Sequence, residues 1–369
     1  MDLGAALRHA VQAQDFGHTV DAWRSGLAVD AFPSIDLAVV SLAAPRASPR
    51  APRFANVLFS REHPQGLVAD INSQAGAVQN IRFDADQRDA TLESPAWLPG
   101  ADWSRMRWTS LHGDGPHRFV APYPASLLKL MVAVGVALAV DAGKTDWPDA
   151  LEPMIVVSDN DATDSCVALL HRCGMVGPLN QRLQQLGLHT LQLNRTTPGG
   201  GWRNADGAGV GQIHMTAWDT VRLLWLLDAD APPAPWLPLR PIQPIQPIQP
   251  IQPMHTNLLQ PATRDHLRAL LSRQLRDEVL SSGSLRTMPG WLPGLPDAPQ
   301  FAHKTGTTQN YASDAGIVRT TSCHYLIAVL TSLGRRYAPH EACATTWRLP
   351  ALGAAVHQLM EQISMEQSA

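Results

Sequence analysis

Phe119-Val120-Ala121-Pro122-Tyr123-Pro124-Ala125-Ser126-Leu127-Leu128-Lys129 runs directly into the apolar stretch Leu130 to Val140. The run reads as a helix from Ala125 to Ala142, with Gly143 placed as a C-cap. It is too short for the roughly 20 residues that span a bilayer, so it reads as a buried helix. Ser126 and Lys129 stand three apart at its start, on one face. The helix N-terminus adds backbone N–H groups and a positive dipole end where an oxyanion can form. Lysine is scarce here: of 29 Lys and Arg, the lysines are Lys129, Lys144 and Lys304 alone. An arginine stays charged, whereas a lysine amine can give up its proton. The pair therefore reads as a serine nucleophile with a lysine as its base, although a Ser-x-x-Lys match by itself also arises by chance.

Two further motifs follow in the chain. Ser158-Asp159-Asn160 falls at a loop-to-helix junction, where the Asp or Asn equally suits a helix N-cap. Lys304-Thr305-Gly306-Thr307 lies on an expected strand, where glycine lets a ligand approach the backbone and lysine with threonine can hold a carboxylate.

Taken in this order, with a helical block between the second and third, the motifs resemble the penicillin-recognising serine enzymes, class A β-lactamases and their relatives above all. The resemblance covers about residues 119 to 335 and includes His303-Lys304-Thr305-Gly306-Thr307-Thr308. It implies an α+β fold, an antiparallel sheet formed from both chain ends packed against a helical region, with the site between them. It also implies roles: Ser126 as nucleophile, Lys129 as base or proton relay, and Ser158 as the group that passes a proton to the leaving group. Asn160 would hold the substrate amide, and Lys304 and Thr305 a substrate carboxylate. Gly306 lies within the same strand motif, and the backbone N–H groups of Ser126 and Thr307 would form the oxyanion hole. The expected activity is that of a β-lactamase-like serine hydrolase on β-lactams or related small amides and esters, without metal or organic cofactor. The alternatives are an esterase or D-alanyl peptidase of the same fold, and a sensor that acylates without turnover.

One departure bears on turnover. Class A enzymes carry a loop glutamate that activates the deacylating water, and this chain has no Glu between Glu152 and Glu278. Aligning the loop through Gly187, Arg195 and Pro198 puts Thr197 at that position, and a threonine hydroxyl is no general base near neutral pH. The loop continues through Gly199-Gly200-Gly201, and Asp206 is placed to pair with Arg195 across its neck. His214 and His303 flank the motif regions and read first as structural histidines.

The rest of the chain sets bounds. A formal charge of −3 and 45% hydrophobic residues leave no basic footprint for nucleic acid and allow a large core. The start, Met1 to His9, lacks a signal-like h-region, so the expectation is a cytoplasmic protein, or a periplasmic one if the true start lies upstream. Cys166 and Cys173 stand too far apart on one helix for a disulfide, and with Cys323 and Cys343 they form no ligand pattern, so the four read as buried free thiols. Residues 1–118 read as an N-terminal helix over 2–28 and strands at 35–43, 54–59, 66–71 and 78–83, partly an extension to the family core. The stretch 84–118, with Trp97, Trp103 and Trp108, has no clean period. The core, 119–369, holds helices at 162–173, 178–186, 216–227 and 261–280. Strands follow at 300–305, 313–319 and 324–331, then a helix at 352–363. It is interrupted at Pro241–Pro253 by four Pro-Ile-Gln triplets and a further proline, a polyproline II segment of roughly 40 Å. This repeat reads as a tolerated expansion in a surface connection, with weak partner contact as the second reading.

Overall fold

The computed structural model describes residues 1–24, 26–42, 51–85, 110–200, 213–237, 258–276, 278–281, 300–337 and 345–368. Its centre is a six-stranded sheet in the order β11-β12-β13-β3-β4-β5. The strands are β3 (Ile35–Leu42), β4 (Arg53–Phe59), β5 (Leu67–Val68), β11 (Gln300–Thr307), β12 (Ala312–Arg319) and β13 (His324–Thr331). All neighbours in it are antiparallel, and β13 pairs with β3 from Thr331↔Ile35 to His324↔Leu42, so the two ends of the chain share one sheet.

Every residue of β3 and β13 is buried, because the sheet is covered on both faces. Ile35, Leu37 and Val39, with Tyr325, Ile327 and Val329, pack into one core with α1 (Leu3–Gln12) and α8 (Thr345–Ser368). Ala38, Val40 and Leu42, with Leu326, Ala328 and Leu330, pack into the other. The period of two splits each strand between cores, and the run is apolar throughout because neither face meets water.

The second core belongs to the helices. Here lie α2 (Lys129–Asp141), α3 (Leu151–Val156), α4 (Asn160–Arg172), α5 (Val176–Gln185), α6 (Ala217–Leu227) and α7 (Pro261–Leu271). Helix α2 is apolar on all sides because α3, α4, α5 and α7 surround it. Buried Asp36 on β3 fastens the two layers together. It accepts from Ala217 N at the head of α6 (2.8 Å) and from Asn56 Nδ2 (2.7 Å), and burial pushes its carboxyl up to about 6.

Smaller pieces complete the frame. Strands β1 (Val20–Asp21) and β2 (Leu27–Ala28) pair with each other, as do β9 (Gln192–Leu193) and β10 (Ile213–His214). A three-stranded sheet, β7-β6-β8, joins β6 (Ile81–Ala85), β7 (Ser110–His112) and β8 (His117–Ala121), and β8 leads into the Ser126 segment.

Several boundaries differ from those expected. The N-terminal helix stops at Gln12, where Ala13 caps it and Asp15 turns left-handed at φ 55°. The helix expected to reach residue 280 ends at Leu271. Beyond it, Gln274 Nε2 donates to Ile155 O (2.9 Å) and Leu275 N to Val156 O (2.9 Å), contacts with α3 that no local pattern shows. The strand expected at 66–71 shrinks to Leu67–Val68, and the next begins at Ile81. Trp97, Trp103, Trp108, Gly201, Asp206, the Pro-Ile-Gln repeat and Cys343 lie outside the described residues. Cys166, Cys173 and Cys323 are free thiols; the first and last are buried as expected, whereas Cys173 is half-buried.

Candidate active site

The Ser126 segment is not α-helical at its start. Ala125–Leu128 forms a 3-10 turn, and α2 begins only at Lys129. In a 3-10 turn residues i and i+3 eclipse, so Ser126 and Lys129 still share a side. Ala125 is held left-handed at φ 50°, a conformation that a non-glycine residue keeps only under surrounding constraint. That constraint is visible: Ser313 Oγ on β12 donates to Pro124 O, and Leu127 N closes the turn onto the same carbonyl at 3.1 Å. Ser126 is half-buried, the one position from Ala121 to Ala137 that is not fully covered.

Strand β11 lies against this turn. A Cβ built on Gly306 would stand 2.6 Å from Ser126 N, Leu127 N and Pro124 O. Glycine is therefore the residue that lets the strand backbone meet the Ser126 turn; the close approach is to the chain's own backbone, where the sequence reading placed a ligand.

Lys129 is fully buried and ringed by acceptors. Its Nζ donates to Ser158 O (2.7 Å), Asn160 Oδ1 (2.9 Å), Ser158 Oγ (3.2 Å) and Asp159 O (3.2 Å). Burial lowers its pKa to about 8, with Arg276 adding in the same direction and Asp159 and Asp164 opposing. Ser158 is left-handed at φ 61°, which turns both its carbonyl and its hydroxyl towards the lysine. Asp159 is the cap of α4, its Oδ1 accepting from Ala162 N at 2.7 Å. Asn160, freed from capping, is the residue that faces Lys129.

Lys304 comes from the opposite side. Its Nζ donates to Ser158 Oγ (3.0 Å) and Thr305 O (2.8 Å), and burial together with the charge on Lys129 lowers its pKa well below the usual lysine value. Three motifs distant in sequence thus converge: Ser126 and Lys129 from the turn and α2, Ser158 and Asn160 from the head of α4, Lys304 to Thr307 from β11. Thr305 is buried, whereas Thr307 is half-buried at the strand end.

A fourth wall was not expected. Beyond α7, two residues reach the site: Arg276 Nε donates to Val157 O (3.4 Å), next to Ser158, and Thr307 Oγ1 donates to Glu278 Oε1 (3.2 Å). Arg335 Nε donates to the same Thr307 oxygen at 3.1 Å. A trace of this wall is present in the sequence, since Glu278 is the first Glu after Glu152. The helix drawn through residue 280 hid it.

Thr197 is exposed in a turn closed by Gly200 N to Thr197 O at 2.9 Å. The neighbouring Thr196 Oγ1 bonds His171 Nε2 on α4 (2.9 Å), and Gly200 lies where a Cβ would come within 2.4 Å of Asp164 O. His214 pairs with Gln192 across β10 and β9, and burial lowers its pKa to about 4. His303 stacks on Phe301 at 3.9 Å and bonds buried Asp314 (2.8 Å). Both histidines therefore have structural settings. Among the described residues no group of His, Cys, Asp or Glu is placed to hold a metal ion, and no helix is long and apolar enough to cross a membrane.

An antiparallel sheet shared by both chain ends, backed by a helical block with serine and lysines at the seam, is the β-lactamase fold. The β-lactamase from Sphaerobacter thermophilus DSM 20745 matches it with a TM-score of 0.51 at 14% identity, over 97% of this chain and 98% of that one. The TLA-3 extended-spectrum β-lactamase matches with 0.50 at 12% identity, over 97% and 99%. The model of the β-lactamase enzyme family matches residues 144–231 and 246–351, more than half of the chain, and the chain belongs to that family. Among curated proteins none matches.

Proposed function

We propose that this protein is a serine acyl hydrolase that opens β-lactams or related small amides and esters through an acyl-enzyme on Ser126. The observation that carries the reading is Ser158 Oγ held between Lys129 Nζ (3.2 Å) and Lys304 Nζ (3.0 Å), beside the half-buried Ser126 turn. Lys129, with a pKa brought to about 8, has a neutral fraction near neutral pH that can take the Ser126 proton. Ser126 Oγ then bonds to the substrate carbonyl carbon. The oxyanion is held by the backbone N–H groups of Ser126 and Thr307. Because both lysines donate to Ser158 Oγ, its own proton is free to pass to the leaving nitrogen or oxygen as the acyl bond breaks. Lys129 returns to Ser158 Oγ the proton it took from Ser126. Water then releases the acyl group from Ser126. Asn160 and the β11 edge from Thr305 to Thr307 align the substrate.

A second reading has its own observation. The absence of any Glu from 153 to 277 and the exposure of Thr197 favour a protein that acylates quickly and deacylates slowly. One experiment addresses both: incubation with a chromogenic cephalosporin, followed by intact mass. Turnover supports the hydrolase, a lasting adduct on Ser126 the slow acyl-enzyme. Failure of cephalosporins, esters and a fluorophosphonate to modify Ser126 would overturn both.

A further inference from the structure

Beyond α7, Arg276 and Glu278 carry opposite charges and have different partners. Arg276 leans on Val157 O, next to Ser158, and its charge lowers the pKa of both Lys129 and Lys304. Glu278 turns the other way, onto the end of β11, where Thr307 Oγ1 donates to its Oε1 (3.2 Å) and Arg335 Nη2 stands 3.7 Å from it. It is close enough to Lys304 to favour that lysine's charged form. Leu280 N, two residues on, bonds Asp314 Oδ2 on β12 (3.1 Å), which ties the segment to the sheet.

This arrangement matters because the same strand end is where lysine and threonine groups offer to bind an acidic substrate. The Thr307 hydroxyl has one proton, and Glu278 takes it. The Thr307 oxygen in turn accepts from Arg335 Nε (3.1 Å). A carboxylate entering beside Thr307 would find the hydroxyl donor engaged by Glu278 and the Arg335 cation already faced by the Glu278 carboxylate at 3.7 Å. It would compete with a like charge for both, and like charges brought together act against the wrong partner. A neutral ester or amide meets no such opposition.

We propose that Glu278 is a specificity-determining residue that fills the carboxylate position at the Thr307 end of the cleft and selects acyl substrates with no negative charge there. The inference rests on the acyl-enzyme reading above and narrows its substrate class. Glu278 acts on binding through charge, and no step of the bond chemistry passes through it.

The test compares benzylpenicillin with its neutral methyl ester on the full-length protein and on Glu278→Gln. Second-order rate constants for Ser126 acylation are read by intact mass at low and high ionic strength. The unsubstituted protein is expected to prefer the ester, and Glu278→Gln to speed the acid by about tenfold while leaving the ester within about twofold. Salt should narrow the preference in the unsubstituted protein and have less effect in the variant. An acid-to-ester ratio unchanged by Glu278→Gln overturns the proposal. If neither compound nor a fluorophosphonate labels Ser126, the acyl-enzyme reading has failed. Calorimetric binding of the same two compounds to Ser126→Ala and to Ser126→Ala/Glu278→Gln then decides the charge preference, and an equal acid-to-ester affinity ratio in the two proteins overturns it.

Discussion

Lys304 Nζ on β11 donates to Ser158 Oγ at the head of α4 across 3.0 Å, joining the sheet to the helical block at one hydroxyl. Lys129 reaches the same oxygen from α2, so the site contains two buried amines that compete for charge. Burial lowers the pKa of Lys129 to about 8, and the neutral amine is the form that accepts a proton. Acylation of Ser126 should therefore rise as pH climbs through about 8 and level off above it. A labelling rate that is flat from pH 6 to 9.5 would contradict Lys129 as the base.

Lys129→Arg should reduce acylation by about 10²- to 10⁴-fold, the usual contribution of a positioned general base, because a guanidinium stays protonated. Lys304→Arg is not expected to be mild, since Lys304 is fully buried and a larger side chain must displace its neighbours. Overpacking of this kind costs about 1–3 kcal/mol, so this variant should melt earlier as well as label slowly. Thermal melting with labelling kinetics separates the two: Lys129→Arg is expected to lose rate far more than stability.

Gly306→Ala tests the seam between strand and nucleophile. The added Cβ would fall 2.6 Å from the backbone nitrogens of Ser126 and Leu127, so either β11 or the 3-10 turn must retreat. Because the Ser126 N–H is half of the proposed oxyanion hole, acylation should fall by about 10²-fold or more, as when an oxyanion donor is lost. A variant that labels at the native rate would show that the turn has slack and that Ser126 N–H is not a donor to the substrate.

Asp36→Ala tests the fastening between layers. It removes the side-chain acceptor of the Ala217 N–H at the head of α6, a buried polar loss of about 1–3 kcal/mol, and one of the two acceptors of Asn56 Nδ2, which keeps Leu37 O at 3.0 Å. Denaturant melts should show a drop of at least about 1 kcal/mol, with an unchanged m-value.

Much of this candidate site was legible because lysine, the residue type proposed to carry its proton chemistry, is rare in the chain. Lys129 and Lys304 stand out among arginines, and Gly306 marks a close approach before any coordinates are known. Strand β13 was legible for a different reason: Tyr325 to Leu330 is a continuous apolar run. What stayed hidden depends on contacts between distant segments. Nothing in residues 272–280 announces that Gln274 and Leu275 will bond to α3, and an apparently helical pattern carried on past Leu271. The 3-10 start of the nucleophile segment was hidden likewise, since it answers to Ser313 and Gly306 on another layer.

The exposed Thr197 bears on how the acyl group leaves. The loop that holds it is anchored to α4 through Thr196 and His171 (2.9 Å) and through the close approach of Gly200 to Asp164. A side chain at residue 197 therefore sits on a fastened turn, closed by Gly200 N to Thr197 O (2.9 Å). With a threonine at that position and no Glu from 153 to 277, a chromogenic β-lactam should give a burst close to one equivalent of enzyme, then slow turnover. Thr197→Glu should raise the steady rate while leaving the burst amplitude intact. The gain is expected near the low end of the range of about 10²- to 10⁴-fold that a positioned base supplies, because the exposed setting of residue 197 leaves a longer side chain free to turn into solvent. Rapid turnover without a burst in the unsubstituted protein would mean that a different group activates the water. Asp164, whose charge already acts on Lys129 from the same side of α4, would then be the first residue to replace, with Asp164→Asn expected to abolish turnover while sparing acylation.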